Sequence, residues 1–373
     1  MWIEKLDLAH WRNHELTRCT FATGTTVFVG PNGQGKTNIV EAIRYLGTLS
    51  SHRVSGTAAL IQDHSDHATI HAQLRHQDRS AEVGLTIKKK GASEALVNSR
   101  KGKVSDIPLW VSVVLFAPED MAIIRGEPAH RRQFMDELVI TSRPQMAARF
   151  LEFERVLRQR NSLLKTLRSS SKNSHQSLEV WDDAFAALSA EIIHARLEQL
   201  SRLASHVQTA YETLASGDQV TSDYVSSSER SSDDLRKEDI QETARDMREH
   251  LARKTPAEIE RGMTLVGPHR DDVELRIGGR IARTHASQGE AWSLALALRL
   301  ATVHMVREES SSGDPIVILD DVFSELDARR RRTLLSLIHD FEQLIITSAV
   351  EEDLPEGLDA TVWDVQAGVV SRR

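Results

Sequence analysis

The sequence predicts an α/β fold, in which a mixed and largely parallel core sheet is joined by an antiparallel β subdomain and interrupted by an inserted helical unit. Apolar strand patterns alternate with helical patterns near both ends of the chain, and this alternation favours a parallel sheet. Short alternating strands occupy residues 68–116. Long helices with few glycines begin near Arg131, so we divide the chain into a head formed by residues 1–130 and 256–373 and a helical arm formed by residues 131–255.

The length and composition of the chain limit its class. At 373 residues it is long enough for two or three compact units. It has no apolar run that could span a bilayer and no leader peptide at Met1, so we expect a cytoplasmic protein without a membrane partner. Cys19 is the only cysteine, which excludes an intrachain disulfide and a cysteine-based metal site. The net charge of -7 decides little about nucleic acid, because a local basic face is enough for binding.

The first segment begins with strands and a glycine-rich loop. Residues 2–8 and 25–29 have strand patterns, and the second run stops at Gly30. Residues 38–49 then place apolar side chains at helical spacing, so the predicted order is strand, loop, helix. The alternating strands that follow end in an apolar run at residues 111–116.

The middle segment predicts a pair of amphipathic helices. Residues 146–167 and 181–214 place apolar side chains at every third or fourth position, and a serine-rich break at residues 169–177 separates them. We expect the two helices to pack antiparallel as an arm. Residues 216–234 are rich in Ser and Asp and predict a loop with one strand at residues 220–225.

The last segment returns to the alternation of strands and helices. Its predicted strands are residues 264–266, 315–321 and 343–347, and its predicted helices are residues 288–306 and 329–341. The apolar strands imply a sheet that is covered on both faces.

The strongest chemical signal is the loop after residue 29. Its residues match the pattern G-x-x-x-x-G-K-[ST], and they are Gly30, Pro31, Asn32, Gly33, Gln34, Gly35, Lys36 and Thr37. The glycines let backbone amides turn towards phosphate oxygens, and the helix that follows adds its positive end. Lys36 is expected to reach the β- and γ-phosphates, and Thr37 to offer its hydroxyl to Mg2+. The loop therefore predicts a nucleoside triphosphate site, with ATP as the expected nucleotide.

Two neighbouring carboxylates form the second group of candidates. Asp320 and Asp321 end the apolar strand, which would deliver them to the edge of the sheet beside the phosphate loop. We expect Asp320 to hold Mg2+, directly or through water, and Asp321 to orient or deprotonate the attacking water as a catalytic residue. The alternative is that both are solvated loop acids.

A third candidate is the turn formed by Ser287, Gln288, Gly289 and Glu290, which opens a helix. Free amides at the start of a helix suit an anion. A serine at this position is equally a simple N-cap, because its hydroxyl satisfies helix amides without any ligand. The tetrapeptide alone leaves both interpretations open.

The order of these motifs resembles that of the ABC-type ATPases. Phosphate loop, helical insertion, Ser-Gln-Gly turn and Asp-Asp strand follow one another, and the segment from Ser324 to Asp327 comes next. Within these ATPases, nearly the full chain is similar to the RecF family of bacterial DNA repair proteins, which is related to the SMC family. The matching runs are residues 11–14, 30–38, 41–43, 116–120, 126–136, 159–161, 267–272, 287–289 and 319–327. The resemblance implies an ABC-type P-loop ATPase head.

The resemblance also implies that two subunits enclose two nucleotides at a shared interface. Residues 287–289 of one subunit would contact the γ-phosphate bound at Lys36 of the other, Asn38 would belong to the nucleotide-binding loop, and residues 324–327 would line the interface. ATP would hold this homodimer together, and hydrolysis would let it part. The cofactors implied are ATP and Mg2+.

In function, the resemblance implies an ATP-dependent DNA-binding protein of recombinational repair and replication. It would act with RecO and RecR to load RecA at single-strand gaps, support the SOS response, and bind gapped or double-stranded DNA without sequence preference or nuclease activity. Three positions depart from the pattern. Glu290 and Trp292 stand where the family usually has Gln and Arg, and Ser348 stands where many ABC ATPases have a histidine. The missing histidine, and Asp321 in place of the glutamate of transporters, imply slow hydrolysis.

The DNA contacts are less clearly marked. The basic candidates are residues 88–90, 100–103 and 131–132, and each cluster is equally compatible with a solvated surface. The arginines at residues 329–332 begin a helix, where the dipole disfavours positive charge, so we expect them to face acidic groups.

Two other functions share parts of the pattern. The ATP-hydrolysing subunit of a membrane transporter has the same motif order, but 250 residues separate Thr37 from Ser287 (287 − 37) and Ser348 replaces the usual histidine. A P-loop kinase has no place for the paired Asp320 and Asp321 followed by residues 324–327. The transporter subunit is the main alternative.

Overall fold

A computed structural model describes residues 1–54, 56–169, 176–215, 217–309 and 313–373. The central part of the predicted serine-rich break, and Ser216, lie outside the described residues. The strands are β1 (Trp2–Trp11), β2 (His14–Thr20), β3 (Gly24–Val29), β4 (His67–His76), β5 (Arg79–Lys88), β6 (Glu94–Val97), β7 (Arg100–Gly102), β8 (Val113–Phe116), β9 (Val220–Val225), β10 (Asp272–Ile277), β11 (Arg280–Ile281), β12 (Ile316–Asp320), β13 (Gln343–Ser348), β14 (Thr361–Gln366) and β15 (Val369–Arg372).

The described helices include five that the sequence patterns predicted, at residues 36–48, 146–169, 176–214, 288–309 and 328–338, and others that were not individually predicted. They are α1 (Lys36–Thr48), α2 (Met121–Arg125), α3 (Pro128–Ser142), α4 (Met146–Ser169), α5 (Gln176–Leu214), α6 (Ser232–Lys237), α7 (Ile240–Arg261), α8 (Ala282–His285), α9 (Gln288–Glu309) and α10 (Ala328–Ile338). Within the described parts of the chain, no helix is both long and apolar enough to cross a membrane.

The core sheet has the strand order β15-β14-β3-β13-β12-β8, and every neighbouring pair is parallel except β14 with β15. Successive residues of a strand face opposite sides of the sheet. Val27 and Val29 therefore belong to one hydrophobic cluster, with α3, α5 and α9, while Phe28 belongs to another, with α1 and β1. The prediction of a largely parallel sheet covered on both faces is confirmed.

The antiparallel subdomain is a second sheet with the order β2-β1-β4-β5-β6-β7. Its existence agrees with the alternating pattern of residues 68–116, but the sequence interpretation missed β2. The reason is that β2 is an edge strand in which Glu15, Leu16 and Arg18 are exposed, so it lacks a regular apolar alternation.

The two long helices of the insertion pack antiparallel, as predicted. Ion pairs join Arg143, which follows α3, to Glu198 of α5 and Arg149 of α4 to Glu191 of α5. Phe153 lies 5.2 Å from Phe185 between ring centroids. The residues contacted on α5 therefore move backward along the chain, from 198 to 191 to 185, as the contacting residues move forward from 143 to 149 to 153. This is the pattern of two antiparallel helices.

The helices of the insertion share one hydrophobic core with α9 and one face of the core sheet. Ile192 of α5 and Leu298 of α9 both belong to it. The two predicted domain boundaries, after residues 130 and 255, fall inside α3 and α7. The division of the chain into head and arm therefore stays a prediction.

A small sheet with the order β11-β10-β9 completes the fold. The predicted strand at residues 220–225 is confirmed as β9, but β10 was missed and the predicted strand at residues 264–266 is wrong. Side chains satisfy the backbone there in place of a neighbouring strand. The amide of Thr264 donates to Asn161 Oδ1 at 2.7 Å, and the amide of Leu265 donates to Glu258 Oε1 at 2.7 Å.

Candidate nucleotide-binding site

The phosphate loop connects the end of β3 to the start of α1, at the carboxyl edge of the parallel strands. The Lys36 side chain is buried and folds back over the loop, where Nζ donates to the Gly30 carbonyl at 2.7 Å and to the Pro31 carbonyl at 3.3 Å. The start of α1 has no side-chain cap, so its amides point out of the helix end. This arrangement suits an anion at the loop.

Two glycines of the loop are required by close contacts. A Cβ at Gly30 would lie 2.2 Å from the carbonyl oxygen of Val365 in β14. Gly35 has φ of 116°, and a Cβ there would lie 2.8 Å from the side chains of Asn13 and His14. Any larger residue would therefore displace the loop from its neighbours.

The loop carbonyls are held from behind by residues that are distant in sequence. The Gln34 carbonyl accepts from Asn13 Nδ2 at 3.0 Å and from the Gly368 amide at 2.9 Å. His14 Nε2 lies 3.0 Å from the Gly35 carbonyl. Because the carbonyls of Gln34 and Gly35 are turned outward, the later amides of the loop can face a phosphate. The Gly30 amide is already bonded to the Ser348 carbonyl at 3.3 Å. The sequence interpretation assigned no role to Asn13, His14 or Gly368.

Burial has an electrostatic effect on His14. The side chain is fully buried, and this burial lowers the pKa of the imidazole below its usual value. The hydrogen bonds to the carbonyls of Gly35 and Gly368 act in the opposite direction and are the smaller effects. His14 is therefore a neutral support of the loop at physiological pH.

Asp320 meets the phosphate loop at the predicted place. Thr37 Oγ1 donates to Asp320 Oδ1 at 3.1 Å, although 283 residues separate them. Thr347, at the end of β13, donates to the same oxygen at 2.6 Å. The pKa of Asp320 is raised to about 7, chiefly by burial. The neighbouring carboxylates of Asp321 and Glu119 contribute to this value, and the hydrogen bonds from Thr347 and Thr37 act in the opposite direction. Glu119 and Thr347 are site residues that the sequence interpretation missed.

Asp321 lies in a different environment from Asp320. Its backbone is in the left-handed region, with φ of 50° and ψ of 22°, and its amide donates to Thr347 Oγ1 at 3.0 Å. Its carboxylate makes no hydrogen bond or ion pair with any residue that the structure describes. A non-glycine residue in this conformation is strained, and such strain is found preferentially at functional sites.

The donor atoms at the end of β12 fit a hard cation. Mg2+ prefers oxygen ligands and usually takes only one or two from the protein, with the rest from phosphates and water. The Thr37 hydroxyl and the Asp320 carboxylate supply two converging oxygens. In the described parts of the chain no group of three or more His, Cys, Asp or Glu residues could hold a metal ion. A magnesium ion here would therefore depend on the nucleotide for its other ligands.

The turn at the start of α9 is a capped helix end. The amide of Ser287 donates to Glu290 Oε2 at 2.7 Å, and the amide of Glu290 donates to Ser287 Oγ at 3.3 Å, which is a reciprocal capping box. Hydrogen bonds from the side chain and from the backbone amide of Ser287 lower the pKa of Glu290. Gln288 is the first residue of the helix, and a Cβ at Gly289 would lie 3.2 Å from Arg330 Nη2. The N-cap interpretation is confirmed, and the Ser287 side chain is already engaged with Glu290 in this arrangement.

A surface groove of about 400 Å3 lies beside this turn. It is lined by Ser287 and Gly289, by Asp327 and Arg330 at the start of α10, and by the end of α5. None of its described lining residues belongs to the phosphate loop. The turn and the segment before α10 thus share one surface.

The three departures from the family pattern have structural explanations in this chain. Glu290 closes the capping box of Ser287. Trp292 is 6% exposed and packs into the hydrophobic core, so it does not belong to the surface of the turn. Ser348 is buried, and its hydroxyl donates to the Val350 carbonyl at 2.7 Å.

The structure changes the set of basic residues that could contact DNA. Arg131 is 4% exposed, and its guanidinium donates to both carboxylate oxygens of Asp272 at 2.7 and 2.9 Å, so its nomination as a DNA contact is wrong. Arg132 donates to the carbonyl of Asp271. The basic residues that remain exposed lie near β7, at the edge of the antiparallel sheet; they are Lys89, Lys90, Arg100, Lys101 and Lys103.

Two of the four arginines that begin α10 face acidic groups, as expected. Arg330 pairs with Asp327 at 3.0 Å, and Arg331 pairs with Asp353 at 3.2 Å. These partners offset the unfavourable position of positive charge at a helix start.

Comparison with known proteins gives consistent matches. Residues 2–368 match the family model described as RecF/RecN/SMC N terminal domain. The DNA replication and repair protein RecF of Leifsonia xyli is 42% identical over 381 residues, which cover 99% of each chain. RecF of Streptomyces avermitilis is also 42% identical, with 100% of each chain covered.

Solved structures resemble the fold as well. The recombination mediator protein RecF with ATP, of the RecFOR pathway, superimposes with a TM-score of 0.86 at 27% identity, over 100% of this chain and 97% of that one. An SMC head bound to the C-winged helix domain of ScpA superimposes with a TM-score of 0.54 at 16% identity, over 100% and 98%. The second match shows a shared fold only. Together they confirm the expected ABC-type ATPase head and its relation to SMC proteins.

Proposed function

The chain belongs to the RecF family of DNA replication and repair proteins, and from this premise we propose that it is an ATP-gated DNA-binding protein that acts as a homodimer. The observation that carries the proposal is the pairing of Thr37 with Asp320 at the phosphate loop while the Ser287 turn lies on a separate surface. One subunit then holds half of each of two nucleotide sites. A transporter subunit has the same motif order and would divide its sites in the same way, so it is the RecF relatives that favour a repair protein over a transporter subunit.

Within each half-site we assign roles from the contacts of the loop. ATP binds to the loop from Gly30 to Asn38, where Lys36 exchanges its bonds to loop carbonyls for bonds to the β- and γ-phosphates. Thr37 and Asp320 would hold Mg2+, and its positive charge would favour the ionised form of Asp320, whose pKa is raised by burial. Lys36 and Asp321 are the catalytic residues, because Asp321 has an unengaged carboxylate beside the metal ligand.

The other half-site comes from the partner subunit. Ser287, Gln288 and Gly289 contact the γ-phosphate through the hydroxyl and the amides at the start of α9. The carboxylate of Glu290 lies next to this turn and repels an anion. Closure of the dimer is therefore weaker than it would be with an uncharged residue at position 290.

We expect the enzyme to be a slow ATPase. Asp321 is shorter than a glutamate, and Ser348 directs its hydroxyl to the Val350 carbonyl instead of to the nucleotide. Hydrolysis serves to separate the subunits and to release DNA, and no nuclease activity is expected.

The DNA partner is gapped or double-stranded DNA, held by its backbone. The exposed basic residues near β7 are the best candidates for phosphate contacts, since Arg131 is engaged in the core. Backbone contacts carry no sequence information, so binding is independent of sequence. With RecO and RecR as partners, the protein would promote RecA loading and the SOS response in the cytoplasm.

Sedimentation with ATP and with ADP tests the dimer. Lys36→Arg should weaken hydrolysis and ATP-dependent dimerisation together. Ser287→Arg should leave ATP binding to the monomer intact and block dimerisation, because the turn acts on the partner's nucleotide. A Lys36→Arg variant that dimerises normally would refute the shared site, and a Ser287→Arg monomer that loses ATP would show that the turn acts within its own subunit.

The salt dependence of DNA affinity tests the backbone contacts. Each phosphate neutralised by Lys or Arg releases counterions, so affinity should fall steeply between low and physiological salt. Replacing Lys101 and Lys103 with Gln should reduce the slope, whereas replacing Lys88, which pairs with Glu94, should change it less. A flat salt response would contradict the proposal.

A further inference from the structure

A buried group of four charged side chains lies between the two halves of the proposed nucleotide machinery. Arg44 of α1 donates to Glu137 Oε1 of α3, and Arg299 of α9 donates to Glu137 Oε2 at 3.0 Å. Arg299 also donates to Asp120 Oδ1, through Nε at 3.0 Å and Nη2 at 2.7 Å. Each of the four side chains is less than a tenth exposed. We call Arg44, Glu137, Arg299 and Asp120 the buried charge chain.

The buried charge chain joins the elements that begin at the two proposed ligand contacts. Arg44 is eight residues after Lys36 (44 − 36), about 12 Å along α1 at about 1.5 Å per residue. Arg299 is twelve residues after Ser287 (299 − 287), about 18 Å along α9. Glu137 contacts both arginines, so a single carboxylate connects the helix of the phosphate loop to the helix of the Ser287 turn.

The far end of the buried charge chain is also anchored near the site. Asp120 Oδ2 accepts from the Ala117 amide at 3.0 Å, immediately after β8. Glu119, its neighbour, is close enough to Asp320 to influence that carboxylate. The Arg299 guanidinium stacks over Phe134 of α3, with 5.3 Å from Cζ to the ring centroid. Three helices and one strand end are thereby held in one arrangement.

The geometry and the charge balance argue for a positioning role. Two guanidinium groups face two carboxylates, so the net charge of the group is zero. Buried ion pairs give little net stability compared with apolar side chains of similar volume, but the planar fork of arginine fixes the orientation of its partners. A subunit that touches two nucleotides at once needs a fixed spacing between its phosphate loop and its Ser287 turn.

We propose that Glu137 and Arg299 are positioning residues, which hold α1 and α9 at the spacing that lets one subunit engage both nucleotides of the dimer. This inference rests on the proposed ATP-dependent dimer. It names the residues that fix the spacing between the phosphate loop and the Ser287 turn before the dimer closes. The phosphate loop alone suffices for ATP binding by a monomer, whereas dimer closure requires both contacts to match the partner. Loss of the buried charge chain should therefore weaken closure of the dimer and leave ATP binding by the monomer intact.

The decisive variant replaces Arg44 and Glu137 together with Met. It removes one positive and one negative charge and leaves the pair between Arg299 and Asp120 intact. We expect the affinity of the monomer for ATP, measured at protein concentrations below dimerisation, to stay within threefold of the wild type. The dissociation constant of the ATP-bound dimer, measured by sedimentation, should rise at least tenfold.

A matched control replaces Arg160 and Glu258 together with Met. Both of these side chains are fully buried, and they pair between α4 and α7 without an ion pair to α1 or α9. Arg160 also pairs with Asp182 of α5 at 2.7 Å. Their removal should leave the ATP-bound dimer unchanged. If it weakens the dimer as much as the double variant of Arg44 and Glu137, the effect is general and the positioning role is refuted.

Further outcomes decide the remaining possibilities. Unchanged dimerisation of the Arg44 and Glu137 double variant, or an equal loss of ATP affinity, would overturn the proposal. If that variant does not fold, Glu137→Asp is used in its place. The shorter side chain keeps the charge but cannot reach both arginines. If the ATP-bound dimer of Glu137→Asp has the same dissociation constant as the wild type, the proposal is overturned as well. A wild-type protein that stays monomeric with ATP would refute the proposed dimer itself, which is a different result.

Discussion

The hydroxyl of Thr347 offers the sharpest test of the site. It donates to Asp320 Oδ1 at 2.6 Å and accepts from the Asp321 amide at 3.0 Å, so one atom orients both carboxylate residues. Thr347→Val removes this hydroxyl and keeps the shape of a β-branched side chain near the end of a buried strand. We expect this substitution to slow ATP hydrolysis more than it weakens ATP binding.

The expected effect on the rate of hydrolysis follows from the negative charge of Asp320, which accepts the hydrogen bond from Thr347. A hydrogen bond to a charged group contributes about 1.5–3 kcal/mol. With Thr37 turned to the metal in the proposed mechanism, Thr347 is the remaining hydroxyl donor to Asp320. If the bond is needed in the transition state, its loss slows hydrolysis roughly 10- to 150-fold, at about 1.4 kcal/mol per factor of ten. ATP affinity should change less than threefold, because Thr347 makes no contact with the loop carbonyls.

Single-turnover hydrolysis with protein in excess over ATP is the appropriate assay, because it measures chemistry without product release. Thr347→Ser is the matched control, since it keeps the hydroxyl and should keep most of the rate. The reasoning is refuted if Thr347→Val hydrolyses ATP at more than half the wild-type rate, or if Thr347→Ser is as slow as the valine variant.

Three further predictions concern the fold. Arg160→Met should lower the free energy of unfolding by about 3–5 kcal/mol in urea denaturation, because it leaves the fully buried Glu258 without its partner; a loss below about 1 kcal/mol would contradict this. Burial lowers the pKa of His269 to about 4. Between pH 6.5 and pH 4 the imidazole is therefore protonated in the unfolded state but not in the folded state. Roughly 3 kcal/mol of the folding stability present above pH 6.5 is lost as the pH falls to 4. His269→Gln should flatten the stability profile in that window, and an unchanged profile would exclude His269 as its source. Burial raises the pKa of Cys19 to about 12, so a thiol reagent at pH 8 should label it only as fast as the chain unfolds.

Local patterns in the sequence are sufficient for four strands of the core sheet and for the phosphate loop, whereas β14 and β15 were not predicted. The apolar runs that become β12 and β13 have no polar alternation, which is typical of strands covered on both faces. The glycines and the lysine of the loop lie within eight residues, so their chemistry is visible without any tertiary contact. Asp320 could be placed at the loop because parallel strands end at a common edge of the sheet.

Contacts between distant residues account for what the sequence could not predict. Thr347 and Glu119 flank Asp320 only because β13 and β8 are neighbours of β12 in the sheet. Arg131 has the same composition signal as a DNA-binding arginine, and only its contact with Asp272 shows that it belongs to the core. Residues 264–266 have a strand pattern, but buried side chains of α4 and α7 satisfy their backbone.

The support behind the phosphate loop also has a consequence for biosynthesis. Gln34 is held by Gly368, which is made 334 residues later (368 − 34). At about 5–20 residues per second, the ribosome needs roughly 20–70 s to cover that distance. During this interval the nascent loop has neither the Gly368 amide nor the Val365 carbonyl at its back. A growing chain is therefore expected to acquire firm ATP affinity only after residue 368 has been made, so that shorter nascent copies do not compete for nucleotide or join a dimer.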